Sequence, residues 1–321
     1  MSREQTLIGE PPGRIAPVRD LVNTFEFEAM AERRLPATAF AEIAGSERDA
    51  FERITFRPRL MVNTTHLDLT TEIFGQRMFA PILVGPTSEH KRFHPEGELA
   101  TVRGASAAKA AMVVASRAGY SVQEIAAQSA TMLWYQVSPE TDTDAQRRRI
   151  GQAVQSGCKA LCITIGRADW GAIDRLRQGV GIPCLLKGIM SPEEARDAIA
   201  KGIDGIVVSN YGLPAGKALA SPMEVLPAIA GAVAGKVPIL IDGSFRRGSD
   251  IMKALALGAR AVMIGRPVLW ALAAYGSAGV QTLLEMLQTE LARDMAMSGK
   301  PNLKSLDPSA VKIHARGPSR L

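Results

Sequence analysis

The sequence predicts an α/β chain folded as a (β/α)8 TIM barrel with a short N-terminal helical preface. Short apolar runs alternate with longer Ala-rich segments from residue 81 until near residue 290, and there are eight such runs. The segments between them are long enough for the helical crossovers that a parallel sheet needs. The turn after the first run, Gly85-Pro86-Thr87-Ser88, lacks the GxGxxG of a dinucleotide fold. That places a doubly wound open sheet second to a closed barrel.

Four regions follow in order: an extended arm over 1–24, the helical preface over 25–68, the barrel over 69–295 and a tail over 296–321. The first 20 residues are mostly polar and hold Pro11, Pro12 and Pro17 in place of the apolar stretch of a signal peptide. Glu26 to Arg34 is charged and helix-prone, Leu35-Pro36 interrupts it, and Ala37 to Ile43 resumes before Gly45-Ser46. Leu69 to Phe74 and Arg77 to Phe79, around Gly75-Gln76, predict a short hairpin. The expected barrel strands are Pro81–Gly85, Met112–Ser116, Met132–Val137, Ala160–Thr164, Pro183–Lys187, Gly205–Ser209, Pro238–Ile241 and Ala261–Ile264. Candidate crossover helices are Gly97–Ala110, Asp142–Gly157, Pro192–Ala200, Pro222–Ala232 and Arg247–Leu257.

With 46% apolar and 22% charged residues in 321, the chain can bury a large core and does not read as disordered. The net charge of +6 is spread along the chain, so it permits an anionic ligand without implying nucleic acid. Cys158, Cys162 and Cys184 sit in or beside apolar runs, with neither disulfide nor CxxC spacing. The four histidines are too scattered for a metal set, so no metal is expected. No apolar stretch reaches the roughly 18 residues of a spanning helix. A reducing, cytoplasmic setting is the default expectation.

Barrel chemistry gathers where strands exit. Two late exits carry the strongest local signal, Asp242-Gly243-Ser244-Phe245-Arg246-Arg247-Gly248 and Gly265-Arg266-Pro267. Glycines let backbone amides approach a phosphate, and Arg246 and Arg266 can add charge-assisted hydrogen bonds. The competing reading makes Arg246 and Arg247 solvated residues at a helix start. Lys187 leaves an apolar strand toward the same rim, either to meet developing negative charge or to form a structural ion pair. Gln136 and Thr164 close strands 3 and 4 and offer an amide and a hydroxyl to a planar polar ring.

These residues give the sequence a marked resemblance, over about residues 25 to 295, to the FMN-dependent L-2-hydroxy-acid oxidases and dehydrogenases, the group of glycolate oxidase, lactate oxidase and mandelate dehydrogenase. Phe56-Arg57-Pro58-Arg59, Gly85-Pro86-Thr87 with His94-Pro95-Glu96-Gly97-Glu98, Leu186-Lys187-Gly188, Val208-Ser209-Asn210, Asp242 to Asp250 and Gly265-Arg266-Pro267-Val268 carry it. The resemblance implies FMN, with Pro86, Thr87 and Ser88 beside the flavin and Ser116, Gln136 and Thr164 contacting it. It further implies Lys187 stabilising the reduced flavin, Asp242 on the ribityl side, and Ser244, Arg246, Gly265 and Arg266 around the phosphate. It also implies a homo-oligomer, commonly a tetramer.

The substrate half departs from that pattern. The family's base histidine is Tyr211 here, its carboxylate-clamping arginine is Pro214, and its preface tyrosine is Glu42. Ser138 and Gly166 replace a strand 3 tyrosine and the aspartate that orients the histidine, and only 18 residues separate Thr164 from Pro183, where relatives are longer. Glu89, His90, Arg92 and Arg117 are the candidates for a substitute site. Tyr211, His90, Glu42 and Lys187 are the expected catalytic set, with Glu89 or Glu42 orienting His90 or accepting its proton. Arg117, Arg92 and Glu89 are the expected substrate contacts, although Arg117 reads equally well as a solvated surface cation. His94 is read as structural. The expected function is an FMN-dependent oxidoreductase with altered substrate and proton handling, acting on a small molecule for which an anion is one candidate. A non-redox FMN-dependent isomerase or lyase, or a noncatalytic FMN-binding protein, is the alternative.

Overall fold

The computed structural model describes residues 13–45, 48–166, 169–210 and 220–315. Eight parallel strands close into a barrel: β1 (Ile82–Val84), β2 (Ala111–Ala115), β3 (Leu133–Val137), β4 (Leu161–Thr164), β5 (Cys184–Ile189), β6 (Gly205–Val208), β7 (Ile239–Ile241) and β8 (Ala261–Ile264). Sequential neighbours pair throughout, and β8 closes on β1 with Met263 opposite Leu83. The eight predicted runs are these strands, to within a residue or two at each end.

Every barrel strand is buried along its whole length. That is why the strands read as unbroken apolar runs instead of alternating ones. The period of two still sorts their side chains. Leu83, Val113, Trp134, Cys162, Leu185, Val207, Leu240 and Met263 fill the barrel interior as one apolar cluster, while Ile82, Met112, Val114 and Ile163 pack outward under the helices. The hairpin of Thr71–Ile73 and Gln76–Met78 plugs the N-terminal mouth, with Ile73 and Met78 in the interior cluster and Phe74 against Trp134 at 5.9 Å between ring centroids. Two residues beyond the interior apolar layer, the same parity brings Gln136, Thr164, Lys187, Ser209, Asp242 and Gly265 to the opposite mouth. The packing rule that fills the core therefore also delivers the polar residues to the C-terminal face.

The crossover helices start where the sequence chemistry dictates. Capping boxes at Ser121 with Glu124, Ser191 with Glu194 and Ser221 with Glu224 satisfy first-turn amides, the last two with proline at the first helical position. The final helix, Arg266–Met297, is broken at Gly276, whose φ of +59° suits glycine and whose missing side chain makes room for His94. His94 thus packs against this kink.

In the preface, Asn23 caps Thr24–Arg34 through the amides of Phe25 and Glu26, Ala37–Ile43 follows Pro36, and Asp49–Glu52 forms one further turn. Ile54–Phe56 pairs antiparallel with Val311–Ile313, joining the preface to the tail across the barrel. The three cysteines are buried and free, and burial pushes the Cys158 and Cys162 thiols up to about 12, which makes them packing residues without reactivity.

Candidate active site

A cavity of about 600 Å³ opens at the C-terminal ends of β1, β5, β7 and β8. Gly243, Ser244, Arg246, Gly265 and Arg266, following β7 and β8, form one end of its lining; Glu42, Glu89, Arg92 and Arg117 form a charged rim; Pro86, Thr87, Ser88, Lys187, Asn210 and Asp242 also line it.

The first end fits a phosphate. Arg246 is only 2% exposed, stacks its guanidinium 4.4 Å over Trp270 and donates Nη1 to the Phe245 carbonyl at 2.9 Å. Its Nη2 is buried without a hydrogen-bond partner among the described residues. Burial, and then the neighbouring Arg266 guanidinium, push its pKa down to about 9. Two cations held together around an unsatisfied donor form a site that an anion would complete. The backbone agrees, since Gly243 (φ +104°) and Ser244 (φ +59°) both turn left-handed. A serine tolerates that at a strain of about 1 kcal/mol, so Ser244 keeps the turn. Gly265 caps the N-terminus of the last helix, where free amides favour negative charge.

In the same cavity, Lys187 is 2% exposed, forms an ion pair with Asp242 at 2.7 Å and donates to Ser209 Oγ at 2.8 Å. The ion pair expected of this lysine is present, and the lysine also lines the cavity, held among the described residues by the Asp242 carboxylate and the Ser209 hydroxyl.

His90 does not take the place expected of it. Its side chain is fully buried and is not among the cavity-lining residues. Nε2 lies 2.7 Å from Thr87 Oγ1 and Nδ1 lies 2.8 Å from Thr101 Oγ1. The Thr101 hydroxyl also reaches the Gly97 carbonyl at 3.3 Å, so the imidazole bridges two threonine hydroxyls, one ring nitrogen donating and the other accepting. Burial lowers the imidazole pKa and keeps the ring neutral. The Glu98 carboxylate accepts the backbone amides of His90 and Gly119 at 3.0 Å. The predicted pairing of His90 with Glu89 or Glu42 is thus corrected. His90 is a buried brace behind Thr87, because the short helical turn His90–Arg92 rotates it inward.

Glu42 and Glu89 instead share Arg92. The guanidinium meets Glu42 directly and Glu89 at 3.4 Å, with all three side chains about half exposed. Arg117 is exposed on the same rim, and its carbonyl accepts the amide of Glu89. Ser116, Gln136 and Thr164 stand at the exits of β2, β3 and β4 but outside the lining set; Gln136 donates to Thr164 Oγ1 at 2.9 Å and to Ser138 Oγ at 3.1 Å. Tyr211 and Pro214 lie outside the described residues. Sequence reasoning missed Ser209 as the partner of Lys187, and Asn210 as a lining residue, although both belong to the Val208-Ser209-Asn210 motif.

The profile of the FMN-dependent dehydrogenase family matches residues 37–168 and 165–313. The chain belongs to this family. Spinach (Spinacia oleracea) glycolate oxidase is 34% identical over 361 aligned positions, covering 94% of this chain and 98% of the relative. Since those positions outnumber the 321 residues here, the relative carries segments that this chain lacks. A crystal structure of mandelate oxidase with (S)-2-phenylpropionate superposes with a TM-score of 0.87 at 32% identity, covering 92% of this chain and all of that one. An Arg-to-Lys variant of flavocytochrome b2 gives 0.89 at 25% identity, covering 95% and 92%. The protein is accordingly an FMN-dependent oxidoreductase resembling the 2-hydroxy-acid oxidases and dehydrogenases.

One expectation is overturned by the same comparisons. The (S)-2-hydroxyacid oxidase relatives from Arabidopsis thaliana and rice, at 31 to 33% identity over 90 to 91% of this chain, are named as peroxisomal, so the cytoplasmic default does not stand. Cysteine usage and composition cannot supply an address that a receptor reads from a short signal.

Proposed function

We propose that this family member oxidises a small organic acid through a substrate site different from that of its relatives. The observation that supports the reading is the contrast within one cavity: family-like residues line the phosphate end and the Lys187 region, whereas Glu42, Glu89, Arg92 and Arg117 line the rim. Bound FMN would supply the electron sink, taking the two electrons released when a substrate C–H and O–H become C=O. Arg246, Arg266 and the Gly243–Ser244 turn would hold its phosphate, with Asp242 on the ribityl side and Ser116, Gln136 and Thr164 extending the site beyond the lining residues.

Lys187 would lower the energy of negative charge developing beside it. Arg117 would bind the substrate carboxylate in place of the family arginine, whose position is Pro214. Tyr211 stands where the family has its base histidine, and a neutral phenol is a poor proton acceptor near neutrality. Glu42 would receive the proton, once Arg92 is drawn toward the substrate or toward Glu89. The absence of the family's base histidine and clamping arginine predicts slow turnover of unadorned lactate or glycolate. The division into arm, preface, barrel and tail, and assembly into a homo-oligomer such as a tetramer, belong to this reading.

Anaerobic mixing of the FMN-loaded protein with a panel of 2-hydroxy acids and related donors, followed by flavin absorbance, tests it. Bleaching by at least one acid, weakened in Arg117→Met mainly through KM, is the expected result. Bleaching that is unaffected by both Arg117→Met and Glu42→Gln would overturn the rim assignment.

A further inference from the structure

Three described preface residues, Ile43, Ala44 and Arg48, contact residues that shape the phosphate end. The carbonyl of Ile43 accepts the indole N–H of Trp270 at 2.8 Å, and Trp270 is the surface on which Arg246 stacks. The carbonyl of Ala44 accepts Arg266 Nη1 at 2.8 Å. Arg48 donates Nη2 to both oxygens of Asp250, at 2.8 and 2.7 Å. Asp250, 2% exposed, accepts in turn the backbone amides of Arg246 and Arg247, both at 2.9 Å.

We propose that Arg48 is a positioning residue for the cofactor's phosphate, acting through Asp250 on the main chain that carries Arg246. Arg48 is the one cation in ion-pair contact with Asp250 among the described residues. Without it, a buried carboxylate is left with amide donors alone, and burial already drives it toward its neutral form. Left charged without its cation, the carboxylate is drawn toward water and away from the two amides, both of which it accepts at Oδ2; the turn at 245–247 then loosens, and the stacked guanidinium above it loses its fixed direction. Arg48 is itself held from both sides, its guanidinium lying 5.2 Å from the Phe25 ring and 5.4 Å from the Phe51 ring, so the preface sets its position. Docking of the preface and occupancy of the cradle are therefore coupled, and each strengthens the other.

The coupling is confined to the phosphate, which makes it separable from general damage to the fold. Apo-protein is titrated in parallel with FMN and with riboflavin, which lacks the phosphate, following flavin fluorescence. The wild type is expected to bind FMN more tightly than riboflavin. Arg48→Gln should weaken FMN by about tenfold or more, within the range typical of coupled sites, while riboflavin changes by less than about threefold. Arg48→Gln combined with Asp250→Asn should recover much of the FMN affinity, because the neutral amide no longer needs a cation and still offers an oxygen to the backbone. If Arg48→Gln does not fold, Arg48→Lys takes its place with the same expectation in smaller measure. Equal weakening of both flavins, unchanged FMN affinity, or no recovery in the double variant would each overturn the proposal. A wild type that binds neither flavin would instead overturn the cofactor assignment.

Discussion

The two ends of the cavity are built from the same residue types on opposite terms. At the phosphate end the charges are buried and locked by backbone: Arg246 and Asp250 are each 2% exposed, and Asp250 is held by two main-chain amides and Arg48. At the rim the Glu42, Glu89 and Arg92 side chains are about half exposed and, among the described residues, pair with one another. Buried charges interact strongly and cannot be left unpaired, whereas exposed pairs contribute little and are screened by salt. The difference teaches that buried, backbone-held pairings fix the phosphate end, whereas half-exposed pairings leave the rim free to rearrange.

The largest effect expected from breaking that contrast is at Lys187, which lines the same cavity. Lys187→Met should slow substrate-driven flavin reduction by about 100- to 1,000-fold, the usual magnitude for losing one oriented electrostatic group, as read by anaerobic stopped flow. It also strips Asp242 of its ion pair, so a lower melting temperature should accompany the slower rate. Arg246→Met sharpens the comparison in a different way. It should weaken FMN binding while raising the melting temperature of the apo-protein, because an unsatisfied buried donor is removed. A fall in apo stability would show that the guanidinium is already satisfied without an anion.

His90 supplies an intermediate effect with a pH signature. His90→Leu should destabilise the fold by about 1–3 kcal/mol by stranding the hydroxyls of Thr87 and Thr101, and His90→Gln, which can both donate and accept, should recover part of it. The folded pKa is depressed by burial, so the unfolded chain takes up a proton first as pH falls below about 6.5. Stability should therefore decline from pH 6.5 downward until the folded pKa is reached, and His90→Gln should flatten that decline in urea titrations at several pH values. The smallest effect belongs to the rim: Arg92→Ala should leave the melting temperature unchanged while changing the rate of substrate-driven flavin reduction only modestly.

Most of the barrel could be read in advance because apolar strands and capped helices are local patterns. Ala37–Ile43, Pro192–Ala200 and Ala261–Ile264 fall on the residues expected. The phosphate cradle was legible for the same reason, since Asp242 to Arg247 and Gly265 to Pro267 are continuous in the chain. What escaped were contacts between distant residues: Arg48 with Asp250 across 202 positions, and Trp270 with Ile43 across 227. His90 was misplaced by a different mechanism. Its neighbours Glu89 and Arg92 face the cavity, and only the turn geometry shows that the imidazole between them points the other way.

By itself, the order of apolar and polar residues determined the barrel, because a strand buried on both faces must be apolar until it exits, and the residues at its exit are then set by parity. The glycine and arginine runs at the late exits pointed to a phosphate-bearing ligand, and FMN came from the family resemblance that those runs carry. Only the tertiary structure decided which charges share a partner, because that depends on where helices and the preface pack. Burial then converts some of those pairings into fixed architecture and leaves others as a half-exposed rim.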